Sequence, residues 1–241
     1  MYNLRSMADS DFKKIEKDLQ KLKNSQKAKA CQRFFKTGKG QYGEGDKFIG
    51  LTVPRLRTIA KKYLTLPSSS VKRLLQSRIH EYRLTALLIL IDKYKKADGK
   101  IKTEIVNYYL KYTKYINNWD LVDLSADKIL GDYLLNKDKN VLYKLAKSKN
   151  LWEKRIAILA TFHFIKNNRF KDTLAISKIL LNDKHDLIRK AVGWMLREIG
   201  KRDQAVLENF LQTHYKNMPR TMLRYAIERF SEKKRKYYLK L

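Results

Sequence analysis

The segment INNWDLVDLSAD, Ile116 to Asp127, holds one tryptophan and three aspartates and neither lysine nor arginine. Its chain carries 54 Lys and Arg against 24 Asp and Glu, a net charge of +30, so a bare carboxylate cluster is out of character with its surroundings. A carboxylate can stabilise a developing positive charge, and an indole face attracts a cation. On a helix, Trp119, Asp123 and Asp127 follow one another at i, i+4 and i+8, so the indole and the first carboxylate can face the same space. Residue types alone leave Asp123 open between that role and an ordinary ion-pair partner in a basic protein.

Positioning these groups requires a helix. Asn118 is a good N-cap, and WDLVDLSADKILGDYLL continues with Val122, Ala126, Ile129 and Tyr133 as the buried stripe. Asp120 points elsewhere, and an acid in the first turn complements the helix dipole. Asp127 is expected to pair with a lysine of a neighbouring turn.

The rest of the chain has the same character. Apolar residues recur at helical spacing almost throughout, and nine glycines and three prolines leave few turns for an all-β design. Five of those glycines fall between Gly38 and Gly50, which predicts one irregular loop before Pro54 opens a new helix. Superposing YRLTALL, LVDLSADKI, WEKRIAILA, LIRKAVGWM and MLRYAIER aligns Ala86, Ala126, Ala157, Ala191 and Ala226, spaced by 40, 31, 34 and 35 residues. That is the period of a two-helix unit that buries its apolar face on its neighbours. The expectation is all-α: a HEAT-like repeat solenoid of stacked antiparallel helix pairs with a concave basic groove, forming one domain over residues 1–241. Arg83, Lys154, Arg155, Arg189, Lys190, Arg220 and Arg224 lie beside the repeat alanines and would line that groove. ERFSEKKRKYYLKL reads as a capping helix anchored by Phe230, Tyr237, Tyr238 and Leu239.

Charge indicates the partner. A field this positive attracts nucleic acid or anionic membrane, and nucleic acid is favoured. No apolar run approaches the roughly 18 residues that span a bilayer, and the first residues lack a signal peptide's apolar core, so an intracellular protein is expected. Cys31 alone excludes internal disulfides and cysteine-rich zinc sites. His80, His163, His185 and His214 are dispersed without metal spacing and read as surface or packing residues.

NNWDLVDLSA, LWEKRIAILATF and HDLIRKAVGWMLREIGKR, with FFKTGKGQYGEGDKFIGLTVPRLR upstream, resemble the AlkD-type DNA alkylation repair glycosylases, a HEAT-like-repeat family, over nearly the whole chain. The resemblance places the catalytic aspartate, which closes a Trp-Asp-x-x-Asp pattern, on Asp123 and the aromatic that opens the pattern on Trp119. It places a phosphate-binding arginine on Arg155 and a second aromatic on Trp194, while Trp152 is left to packing. An aromatic of some members falls near Phe34, where a hydroxyl is lacking, and Phe34 is not counted as a site.

The implied activity is hydrolysis of the N-glycosidic bond of cationic N3- and N7-alkylpurines in duplex DNA by a monofunctional enzyme that leaves an abasic site. Such bases already carry positive charge, so one carboxylate near C1′ replaces the acid and base pair of ordinary glycoside hydrolysis. No metal or organic cofactor is implied. A monomer is expected, cytoplasmic and nucleoid-associated in a bacterium. Two rivals share the charge and fold: a non-catalytic helical-repeat nucleic-acid binder and a scaffold for acidic peptides.

Overall fold

The computed structural model describes residues 4–240, with side chains from Asp9 onward. These residues divide into two compact units, one ending at Leu121 and the other beginning at Val122. The first holds α1 (Leu4–Lys21), α2 (Ser25–Phe34), α3 (Val53–Lys62), α4 (Ser68–Leu75), α5 (His80–Lys96), α6 (Gly99–Lys111) and a 3₁₀ turn (Thr113–Tyr115). Helix α7 (Trp119–Ala126) straddles the division.

Local chemistry sets these boundaries. The Asn24 side chain accepts from Lys27 N to open α2, the Asp98 side chain accepts from Ile101 N to open α6, and Pro54 sits in the first turn of α3. Helix α5 packs against α3, α4 and α6 and is buried on nearly every face from His80 to Ile91. A helix enclosed this way needs no polar stripe. The glycine-rich stretch is irregular, as expected, and touches extended geometry only in an isolated bridge between Lys47 and Ile79. Its end is fixed by Glu81 of α5, whose buried carboxylate accepts from the backbone N–H groups of Ile49, Gly50 and Leu51.

In the second unit α7 runs on through a π-helical turn (Asp127–Gly131) into α8 (Asp132–Leu134). There follow α9 (Asn140–Ala146), α10 (Leu151–Lys166), α11 (Lys171–Ile179), α12 (Asp186–Gly200), α13 (Gln204–His214), α14 (Arg220–Ala226) and α15 (Glu232–Leu239). The π turn packs on α10, α10 on α12 and α12 on α14, while α9, α11 and α13 pack against members of that row. These are the stacked helix pairs of an all-α, HEAT-like repeat, and Ala126, Ala157, Ala191 and Ala226 are buried in the row. Small residues let the row close up. A Cβ on Gly131 would stand 2.3 Å from the carbonyl oxygen of Ala160 on α10, and one on Gly193 would stand 2.5 Å from that of Met222 on α14.

Three expectations need correction. The π turn inserts a residue into the helical register, so Leu134, not Tyr133, continues the buried stripe of Val122, Ala126 and Ile129. Arg83 lines no groove: it is 3% exposed and held by an ion pair. Tyr237 is 63% exposed, so α15 is anchored by Phe230 and Tyr238 instead. Among the described residues no helix is long and apolar enough to cross a membrane.

Candidate active site

In the first unit the opening turn of α7 sits on a closed polar cluster. Asn118, fully buried, accepts from Trp119 N at 2.8 Å and donates through Nδ2 to Asp46 Oδ2 at 3.2 Å. His80 at the start of α5 lies between two carboxylates, with Nε2 2.8 Å from Asp120 Oδ2 and Nδ1 3.4 Å from Asp46 Oδ2. Arg83, one turn on, places Nη2 2.7 Å from Asp46 Oδ1 and donates through Nη1 to the carbonyl of Ser77. Burial works against a charged imidazole, but the bonds to Asp120 and Asp46 outweigh it and raise the His80 pKa above the ordinary histidine value. Asp46 is likewise penalised by burial, yet His80, Arg83 and Asn118 hold it below the usual carboxylate range. With His80 protonated, two cations face two anions and the enclosed cluster is neutral.

Above this cluster aromatic rings are layered. Phe48 stacks on His80 at 4.6 Å, Phe35 on Phe48 at 5.0 Å and Trp119 on Phe35 at 5.2 Å. Phe34, 65% exposed, meets Trp119 edge-on at 5.9 Å. The indole Nε1 donates to the Tyr42 hydroxyl at 3.3 Å, which fixes the ring's rotation. Sequence reasoning gave Asp120 a dipole role and left His80, Asp46, Tyr42 and Phe48 out. Asp46, Tyr42 and Phe48 all come from the glycine-rich loop, and its burst of glycines was the available signal that side chains there are placed with care.

The second unit brings Asp123 and Arg155 together. Arg155 Nε donates to Asp123 Oδ1 at 2.8 Å and Nη2 to Oδ2 at 2.7 Å, a two-pronged pairing of planar groups. Nη1 donates at 2.6 Å to the carbonyl of Leu187 in the first turn of α12, so the guanidinium is pinned on both sides. The Arg155 side chain is 6% exposed and that of Asp123 is 16% exposed, so the carboxylate is the more open partner. Arg155 is therefore not a groove-lining cation with a free head group.

Trp194 is half-buried on α12, its Nε1 3.2 Å from Glu198 Oε1 and its ring 5.9 Å from that of Phe162 on α10. Phe162 lies seven residues beyond Arg155 and Trp194 seven beyond Leu187, so this aromatic contact is about 10 Å along the helices from the guanidinium contact. Lys166 caps the arrangement, with Nζ 4.2 Å over Phe162 and 2.8 Å from Asp127 Oδ2. Asp127 is an ion-pair residue, as expected, but its second lysine comes from α10 as well as the adjacent Lys128. Trp152 is buried packing. Among the described residues no three His, Cys, Asp or Glu side chains converge to hold a metal ion.

The family model for DNA alkylation repair enzymes matches residues 15–230. The chain belongs to the DNA alkylation repair enzyme family. Solved structures share the fold. A predicted DNA alkylation repair enzyme from Enterococcus faecalis superposes with a TM-score of 0.67 at 17% identity, over 87% of this chain and 97% of its own. AlkD2 from Streptococcus mutans does so at 0.55 and 18% identity, over 93% and 99%. A search of curated proteins finds no match. Membership brings DNA to the strongly basic surface of this repair-family chain as the implied partner.

Proposed function

We propose that this family member is a DNA glycosylase that hydrolyses the N-glycosidic bond of N3- and N7-alkylated purines in duplex DNA and leaves an abasic site, working as a monomer without metal or organic cofactor. The carrying observation is the Asp123–Arg155 pair: a carboxylate fixed in orientation by a guanidinium and more exposed than its partner, 16% against 6%.

Ring alkylation makes the purine cationic and a good leaving group. The C1′–N bond breaks with its electron pair going to the base, which leaves neutral, so no general acid is needed. Positive charge then develops on the sugar. Asp123 is assigned to stabilise that charge and to orient the water whose oxygen bonds to C1′ as its proton is lost. Arg155 serves as its positioning residue, keeping the carboxylate aimed. Three of its five N–H groups are engaged by Asp123 and Leu187, and a DNA phosphate is assigned to the remaining two. Trp194, in the same unit as Asp123 and Arg155, is assigned to the cationic base, which an indole face attracts by roughly 0.5–2 kcal/mol relative to a neutral purine.

One observation favours a second reading, a non-catalytic nucleic-acid binder: a carboxylate already paired with arginine is also how a purely structural ion pair looks. Base release separates the two. Excess enzyme over duplex DNA containing N7-methylguanine or N3-methyladenine should free the base well above the spontaneous rate, and absence of release would overturn the glycosylase reading.

A further inference from the structure

The first unit carries a surface used neither by the aromatic layers around Trp119 nor by its hydrophobic core. At the end of α6 and in the 3₁₀ turn, Tyr108, Tyr112 and Tyr115 form a ladder, with ring centroids 4.7 and 6.3 Å apart in sequence. Its ends are fixed: the Tyr108 hydroxyl donates to the Ser68 carbonyl at 3.0 Å, and Gln76 Nε2 donates to the Tyr115 hydroxyl at 2.9 Å. Three exposed lysines from three elements crowd it. Lys72 of α4 lies 6.0 Å and Lys111 of α6 5.9 Å from the Tyr112 ring, and Lys114 of the 3₁₀ turn lies 4.9 Å from the Tyr115 ring.

Among the described residues none of these lysines is ion-paired with a carboxylate, whereas Lys62, Lys154, Lys166, Lys190, Lys201 and Lys234 are. Two ammonium groups thus share one tyrosine ring. The hydroxyls point to the same conclusion. Tyr115 Oη accepts from Gln76 and keeps its own proton to donate, and among the described residues no hydrogen bond engages Tyr112 Oη. Three cations and two O–H donors on a fixed aromatic base suit a row of phosphate oxygens. An apolar cavity of about 660 Å³ opens beside Tyr108, between Val71, Leu90 and Ile105, but these three lysines lie along the ladder and do not line it, which favours a row of phosphates over a peptide with apolar side chains.

We propose that Lys72, Lys111, Lys114, Tyr112 and Tyr115 form a platform for the phosphate backbone of duplex DNA, separate from any contact with the damaged base. This rests on the family's association with DNA but not on catalysis. Each phosphate neutralised by a lysine adds about 0.9 to the magnitude of the slope of log affinity against log salt. The test is binding of the full chain to an undamaged duplex across a salt series. The variant Lys72→Gln, Lys111→Gln, Lys114→Gln should lower that slope by about 2–3. Lys144→Gln, Lys147→Gln, Lys149→Gln, which removes the same charge from exposed positions in and after α9, should lower it by less than about 1. Tyr112→Phe with Tyr115→Phe should weaken binding several-fold at fixed salt and leave the slope unchanged. Equal slopes for the two lysine variants, or unaltered affinity of the tyrosine variant, would overturn the platform. A retained slope difference in a protein that releases no base would sink the glycosylase reading alone, and base release with equal slopes would sink the platform alone.

Discussion

The His80 cluster of the first unit and the Asp123–Arg155 pair of the second are built from the same kinds of group and differ in closure. Around His80, the imidazole is 2% exposed and the carboxylates of Asp46 and Asp120 are 5% and 12% exposed, and three side chains share the charge. In the second pair the arginine is 6% exposed and the lone carboxylate 16%. Charges shared among several partners define one arrangement of the chain; a carboxylate paired with one arginine and exposed to solvent can also act on something outside the protein. Charge pairing alone therefore does not identify a reactive carboxylate.

That contrast can be broken by substitution. The largest expected effect is on stability: His80→Leu leaves Asp46 and Asp120 buried without their shared cation and should cost about 3–5 kcal/mol in denaturant unfolding. A loss below about 1 kcal/mol would mean that water reaches the cluster and that it is not closed. Asp123→Asn should instead lower single-turnover base release by about 100-fold or more, equivalent to about 2.7 kcal/mol of barrier, with less than a tenfold change in DNA affinity. Parallel losses of affinity and rate would return Asp123 to the structural class of Asp46.

Much of this architecture is legible in the sequence. The alanine spacing located the packed row, because a helix–helix contact demands a small residue at a fixed register, and Asn118 marked the start of α7 through a purely local bond. The closed cluster was not legible. His80 is separated from Asp46 by 34 residues and from Asp120 by 40, and nothing in their spacing brings them together. Arg83 and Arg155 were misjudged for a related reason: their position beside the repeat alanines is visible, but whether a guanidinium faces solvent or a neighbouring carboxylate is decided by packing. The Trp119, Asp123, Arg155 and Trp194 set came from family resemblance, and the pairing of Asp123 with Arg155 emerged only from the fold.

Smaller effects sharpen the comparison. Gly131→Ala forces a methyl into the Ala160 carbonyl and should destabilise the second unit by about 1–3 kcal/mol, read by thermal unfolding. The first unit should respond to pH. Below the ordinary histidine value of about 6.5 the contribution of His80 is fully present, and it is lost as pH rises through the raised folded value. Unfolding free energy should thus fall above about pH 6.5, by at most about 1.4 kcal/mol per pH unit for one proton, and His80→Gln should flatten that decline. Asp127→Asn gives the smallest change: its partners Lys166 and Lys128 are 40% and 31% exposed, so a loss below about 1 kcal/mol and unaltered base release are expected.

The π turn at Asp127–Gly131 has a consequence for how the segment tolerates change. A regular helix locks all its faces in phase, so re-aiming one side chain re-aims those beyond it. The extra residue after Asp127 breaks that lock, and side chains from Asp132 onward sit about 100° out of step with a regular continuation of α7. The face carrying Asp123 can therefore be retuned by substitution while Leu134 keeps its place in the core. Deleting one residue from the turn would restore an unbroken helix in which Leu134 takes the place of residue 133 and stays in phase with Val122, Ala126 and Ile129, so the two stretches would then behave as one.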